Sequence, residues 1–72
     1  MPPSEPFVNL VRGYAISPVG PNMWKVMFVD GSGAMSIQAV RDGLYGGWWT
    51  RPWGCLRSEN MSWPDLMLAF GL

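Results

Sequence analysis

The chain has 72 residues, a formal net charge of zero, one cysteine and no histidine. That excludes an internal disulfide, all but excludes a one-chain zinc site, and leaves no imidazole for a Ser or Cys nucleophile. Charged residues are 14% of the chain, well under the usual quarter, while 49% are hydrophobic and five are tryptophan.

One domain is the most this length allows, and it buries only about 60% of the surface exposed when unfolded. Such a scaffold needs a dense core or a partner chain. Arg12, Lys25, Arg41, Arg51 and Arg57 are scattered among Glu5, Asp30, Asp42, Glu59 and Asp65. No basic stripe forms, so nucleic acid is the less favoured partner and a protein the more favoured one. The start lacks a basic, apolar leader, and the longest apolar run is Leu66 to Phe70. A cytoplasmic protein with no membrane association is expected. The Asn60-Met61-Ser62 sequon is read as a chance match.

Residues 1–6, MPPSEP, read as a flexible or extended lead-in, and residues 7–72 as one small domain. FVNLVRGYAIS, 7–17, reads as a first strand with Gly13 at a bulge or bend. PVGPN, 18–22, reads as a loop. MWKVMFV, 23–29, is a strand with Trp24, Val26 and Phe28 on one face and Met23, Lys25, Met27 and Val29 on the other. The six methionines suit core filling, with Met23 and Met27 also placed for a partner-facing patch.

DGSG, 30–33, suits a tight hairpin turn, and AMSIQAV, 34–40, pairs back with Met35, Ile37 and Ala39 inward. RDG, 41–43, is a second turn. LYGGWWT, 44–50, is a strand broken by Gly46-Gly47, a pair that marks a bulge or a close backbone approach, and at Pro52 it ends or lies at an edge. GCLRSEN, 54–60, is expected to be a loop with at most a short bridge at 55–57. Ser62, Pro64, Asp65 and Gly71 are placed as N-cap, first-turn proline, capping-box acid and C-terminal stop of a helix over 63–70. Met61 and Leu66 are set for a hydrophobic staple, and Leu66, Met67 and Phe70 would face the sheet. The fold class is α+β: a small curled antiparallel sheet of three or four strands, barrel-like, closed by a short C-terminal helix.

GGWWTRPWG, 46–54, is the most unusual stretch. Side chains alternate along a strand, so Trp49, Arg51 and Trp53 share one face and Trp48, Thr50 and Pro52 the other. A domain this small rarely covers both faces, so one set of indoles is expected to be at least half exposed. The set with Arg51 between two indoles is the favoured one, since a guanidinium stacks on aromatic planes. Trp and Arg also dominate binding hot spots. The candidate partner-binding residues are therefore Trp48, Trp49, Arg51 and Trp53, with Tyr45 and Arg57 as neighbours. No catalytic residue, cofactor or metal is expected. DGSG lacks the Lys and helix of a phosphate loop, Asp30 and Asp42 serve turns, and Cys55 lacks a base.

The expected function is a small non-enzymatic protein-binding module, an inhibitor or modulator of a larger protein, of the kind phages and mobile elements carry. Binding of single-stranded nucleic acid on an aromatic platform is the second reading, and a structural subunit of a homo-oligomer or larger assembly is the third.

Overall fold

Alternating inward residues and short turns fold the chain into one antiparallel meander. A computed structural model of the chain describes residues 2–31 and 33–72. Six strands follow in chain order: β1 (Phe7–Asn9), β2 (Tyr14–Gly20), β3 (Met23–Phe28), β4 (Ala34–Arg41), β5 (Leu44–Arg51) and β6 (Gly54–Met61). Each pairs only with its sequence neighbours, so the sheet is open, with β1 and β6 at its edges. One helix, α1 (Trp63–Phe70), completes the fold. The expectation of three or four strands is thus too small, and the sheet does not close into a barrel.

The extra strands come from two stretches whose composition misleads. Residues 7–17 are two strands joined by a turn. The Gly13 N–H donates to the Asn9 carbonyl at 2.8 Å, and the Asn9 side chain accepts from the Arg12 N–H at 2.9 Å. Leu10 and Val11, which imitate strand residues, are in fact among the most exposed side chains. Residues 18–20, expected in a loop, continue β2. Its pairing with β1 ends at Ile16, so Pro18 lies where one edge of β2 is free and a missing N–H costs nothing. Residues 54–61, expected as a loop, pair with β5 from Gly54 to Met61.

The sheet has one dry face and one wet face. Tyr14, Ile16, Trp24, Val26, Met35 and Ile37 point inward and join Trp63, Leu66 and Phe70 of α1 in the core. Met23, Lys25, Met27, Ser36 and Gln38 point outward and are exposed. The inner and outer sets of β3 and β4 follow the period-two pattern of the sequence. β5 continues through Gly46-Gly47, but its register with β6 shifts between Tyr45 and Gly47, so the glycine pair marks a bulge and a close approach rather than a break. A Cβ on Gly47 would lie 2.7 Å from the Phe70 ring and 3.0 Å from the Met35 Cε. The glycine is therefore the seat that lets α1 approach the sheet.

The helix spans the expected residues 63–70, with Ser62 at its N-cap and Gly71 at its C-terminal stop. The Ser62 Oγ accepts from the Asp65 N–H at 3.4 Å, and a proline occupies the first turn. Gly71 adopts φ 71°, its N–H donates to the Leu68 carbonyl, and the Leu72 N–H donates to the Met67 carbonyl. These two bonds are the Schellman pattern that satisfies the last carbonyls. Eight residues cannot hold a helix by propensity alone, so packing on the sheet must do it. Trp63 is buried here too, alongside Leu66 and Phe70, while Met67 is only partly covered. The Tyr14 hydroxyl donates to the Leu72 carbonyl at 3.0 Å and ties the end of α1 to β2. The Trp24 Nε1–H donates to the Pro3 carbonyl at 2.9 Å, so the lead-in touches the domain at Pro3. Ser62→Ala should lower stability by about 1 kcal/mol, read from the denaturant midpoint at constant m.

Candidate functional site

Register decides where each tryptophan of residues 46–54 goes. Trp48 lies directly opposite Arg57, Trp49 opposite Leu56, and Arg51 opposite Gly54. The strand alternation therefore sends Trp48 and Arg57 to the outer face, and Trp49 and Arg51 toward the helix side. Pro52 and Trp53 form the tip of the β5–β6 hairpin.

Toward the inner face, four groups stack in sequence. The Phe28 and Trp49 rings lie 4.5 Å apart and nearly parallel, at 9°. The Arg51 guanidinium sits 5.4 Å from the centre of the Trp49 ring and 5.4 Å from that of Trp53. Arg51 does lie between two indoles, but the exposure expected of this set holds only for Trp53, because Trp49 and Arg51 face the helix side. The innermost indole, Trp49, is half-buried and also meets Phe70 at 6.3 Å. The outermost indole, Trp53, is 69% exposed. Trp49 Nε1 and Arg51 Nε are buried with no hydrogen-bond acceptor among the described residues, so stacking rather than hydrogen bonding holds them.

On the outer face, Trp48 is 55% exposed. The Arg57 guanidinium lies 5.5 Å from its ring centre, and the Arg57 Nη2 donates to Glu59 Oε1 at 2.7 Å. Beside them Gly46 leaves a depression of about 200 Å³, lined by Gln38, Val40, Trp48, Arg57 and Glu59. A Cβ on Gly46 would come within 3.3 Å of the Ser58 carbonyl oxygen and 3.5 Å of Val40. Asn60, with φ 57°, sits at a bulge where β6 carries one extra residue between Ser58 and Met61. The exposed Met23 and Met27 share the outer face.

The six candidate residues therefore divide into two clusters and one half-buried ring packed against the core. Arg51 and Trp53, with Trp49 beneath, form one stack at the hairpin tip. Trp48 and Arg57 form the other on the outer face. Tyr45 points inward, edge-to-face with Trp24 at 5.7 Å and Trp63 at 5.3 Å. One exposed indole comes from each alternating set, Trp53 from one and Trp48 from the other. Glu59 belongs beside Arg57, and sequence reasoning does not single it out. Its signal is the charge pair at alternate positions, hidden because residues 54–60 do not read as a strand.

Among the described residues, no three His, Cys, Asp or Glu side chains come together as a metal-binding group, and no helix is long and apolar enough to cross a membrane. Comparison with protein-family models, with curated proteins and with solved structures yields no match.

Proposed function

We propose that this chain is a small non-enzymatic module that binds another protein and modulates or inhibits it, as small accessory proteins of phages and mobile elements do. The observation that carries this reading is the pair of exposed indoles, Trp48 and Trp53, each backed on one side by a guanidinium. A backed indole loses little rotamer freedom on binding, because the intramolecular stack already restricts it. It keeps its remaining surface for a partner. Trp and Arg are the residue types that most often anchor interfaces. The low charge of the chain supports a protein rather than a phosphate backbone as the partner.

A single-stranded nucleic acid is the second reading, favoured only by the open face of Trp53 at the end of its stack. Such sites need successive stacking faces in a positive groove, and here Arg57 is already paired with Glu59.

The test uses the tagged protein on its native lysate. Wild type should retain a partner at stoichiometric amount, and the Trp48→Ala/Trp53→Ala double variant should lose it while keeping its far-UV spectrum. A partner retained equally by the double variant contradicts the reading. Labelled single-stranded oligonucleotide at low salt should leave the tryptophan fluorescence unchanged.

A further inference from the structure

The two edges of the sheet are unequal. β1 has three residues, too few to template another strand. β6 has eight, and one of its two sides carries no strand. Proteins commonly guard such an edge with charged side chains or with a bulge. β6 carries a bulge only near its C-terminal end, at Asn60. Its charges, Arg57 and Glu59, are of opposite sign, on the same outer face, at alternate positions.

That pattern is complementary to itself. We propose that β6 pairs antiparallel with β6 of a second copy of this chain, about a two-fold axis at Ser58. Antiparallel neighbours run in opposite order, so an axis at Ser58 sets Arg57 opposite Glu59 of the second copy, and Glu59 opposite its Arg57, and the two intrachain Arg57–Glu59 pairs join into one four-charge cluster of alternating sign. An axis at Arg57 would oppose two arginines, and an axis at Glu59 two glutamates. An axis at Leu56 would set Arg57 against Cys55. Of the registers around the centre of the strand, only the one at Ser58 makes two opposite-charge pairs. The interface is isologous, as a two-fold dimer requires. The zero net charge of the chain adds no overall repulsion between copies. Asn60 ends the regular ladder, so the joined stretch runs from Leu56 to Asn60 and the dimer is a dissociable one.

An axis perpendicular to the sheet keeps the outer faces of both copies on one side. The two Trp48–Arg57 stacks then lie on one continuous surface, on either side of the joined strands. The inference rests on the edge and its charge pattern, independently of the proposed function. A monomer that loses its partner through Trp48 and Trp53 would leave that function standing and remove this inference.

The experiment is molar mass by light scattering from roughly 10 µM to 1 mM, on wild type, Arg57→Glu, Glu59→Arg, the double reversal, and an equimolar mixture of the two single variants. Both side chains are exposed, so the reversals should leave the fold intact. Wild type should dimerise. By symmetry each single variant converts two attractive pairs into two repulsive ones, and its dimer should weaken at least about tenfold. The double reversal restores both pairs. The mixture restores them too, because one variant presents an edge with two acids and the other an edge with two arginines. A wild type that stays monomeric throughout overturns the proposal. So does a dimer indifferent to single reversal, or a mixture that fails to reassociate.

Discussion

Trp63→Ala is expected to destabilise the domain by about 3–5 kcal/mol, enough to unfold a large share of it at physiological temperature. Trp63 is the first residue of α1 and is only 9% exposed. Its ring meets Trp24 of β3 edge-on at 5.6 Å and Tyr45 of β5 at 5.3 Å. Trp24 and Tyr45 also meet each other, so the three rings form a closed cluster that fixes the start of the helix over the sheet. Removing one indole leaves a cavity between elements distant in sequence, and an eight-residue helix has no independent stability to fall back on. A chain of 72 residues has a total stability of roughly 4–11 kcal/mol, so the loss takes up a large part of it. The thermal midpoint should fall by more than about 12 °C. Leu68→Ala, on the exposed side of the same helix, should stay within about 0.5 kcal/mol of wild type.

Gly33→Ala should cost at least about 3 kcal/mol, more than its place in a turn suggests. Gly33 has φ 137°, which L residues rarely adopt. A Cβ there would fall on the Thr50 carbonyl oxygen, with the Trp49 Nε1 at 3.2 Å. The obstacle is backbone of the neighbouring strand, which cannot rotate away like a side chain. The β3–β4 turn would have to lift off β5, taking with it the Phe28–Trp49 stack and the support of Arg51 and Trp53. Loss of stability by chemical denaturation, with a shift in near-UV tryptophan dichroism, is the expected signature. Gly31→Ala, also at positive φ but in open space, should cost only the strain of its backbone conformation.

These two positions also mark the limit of what the sequence discloses. Asp30-Gly31 reads as a turn from residue type alone, but the nearness of Gly33 to Thr50 depends on how β4 lies on β5. Trp63, Leu66 and Phe70 recur at helical spacing, so the inward place of Trp63 has a local signal, but the cap grammar points first to Leu66, Met67 and Phe70. The helix limits are fully legible, because capping is local chemistry: Ser62, Pro64, Asp65 and Gly71 each act within a few residues. β4 is legible because its alternation is clean and one face is wet, whereas β3 reads as a strand from its apolar run alone, since Met23, Met27 and Val29 make its outer face apolar too.

The strands that escape the sequence have no such signal. β6 is an edge strand of mostly small and polar residues, held mainly by its ladder to β5, with only Leu56 and Met61 partly buried against the core. β1 and β2 read as one strand because Leu10 and Val11 are apolar residues in an exposed turn. The candidate site shares this division. Alternation correctly separates Trp48 from Trp49 and sets Arg51 between Trp49 and Trp53. The pairing of Trp48 with Arg57 spans two strands, one of them without a sequence signal, so only the register could reveal it.

Trp48 and Trp53 are the proposed anchors of the binding surface. The most direct measurement is the dissociation constant for the captured partner, taken with wild type, Trp48→Ala, Trp53→Ala and the exposed control Leu68→Ala. At least one tryptophan variant should bind about 30-fold more weakly, corresponding to about 2 kcal/mol, with Leu68→Ala unchanged. Binding within about twofold of wild type for both tryptophan variants, each still folded, would contradict it.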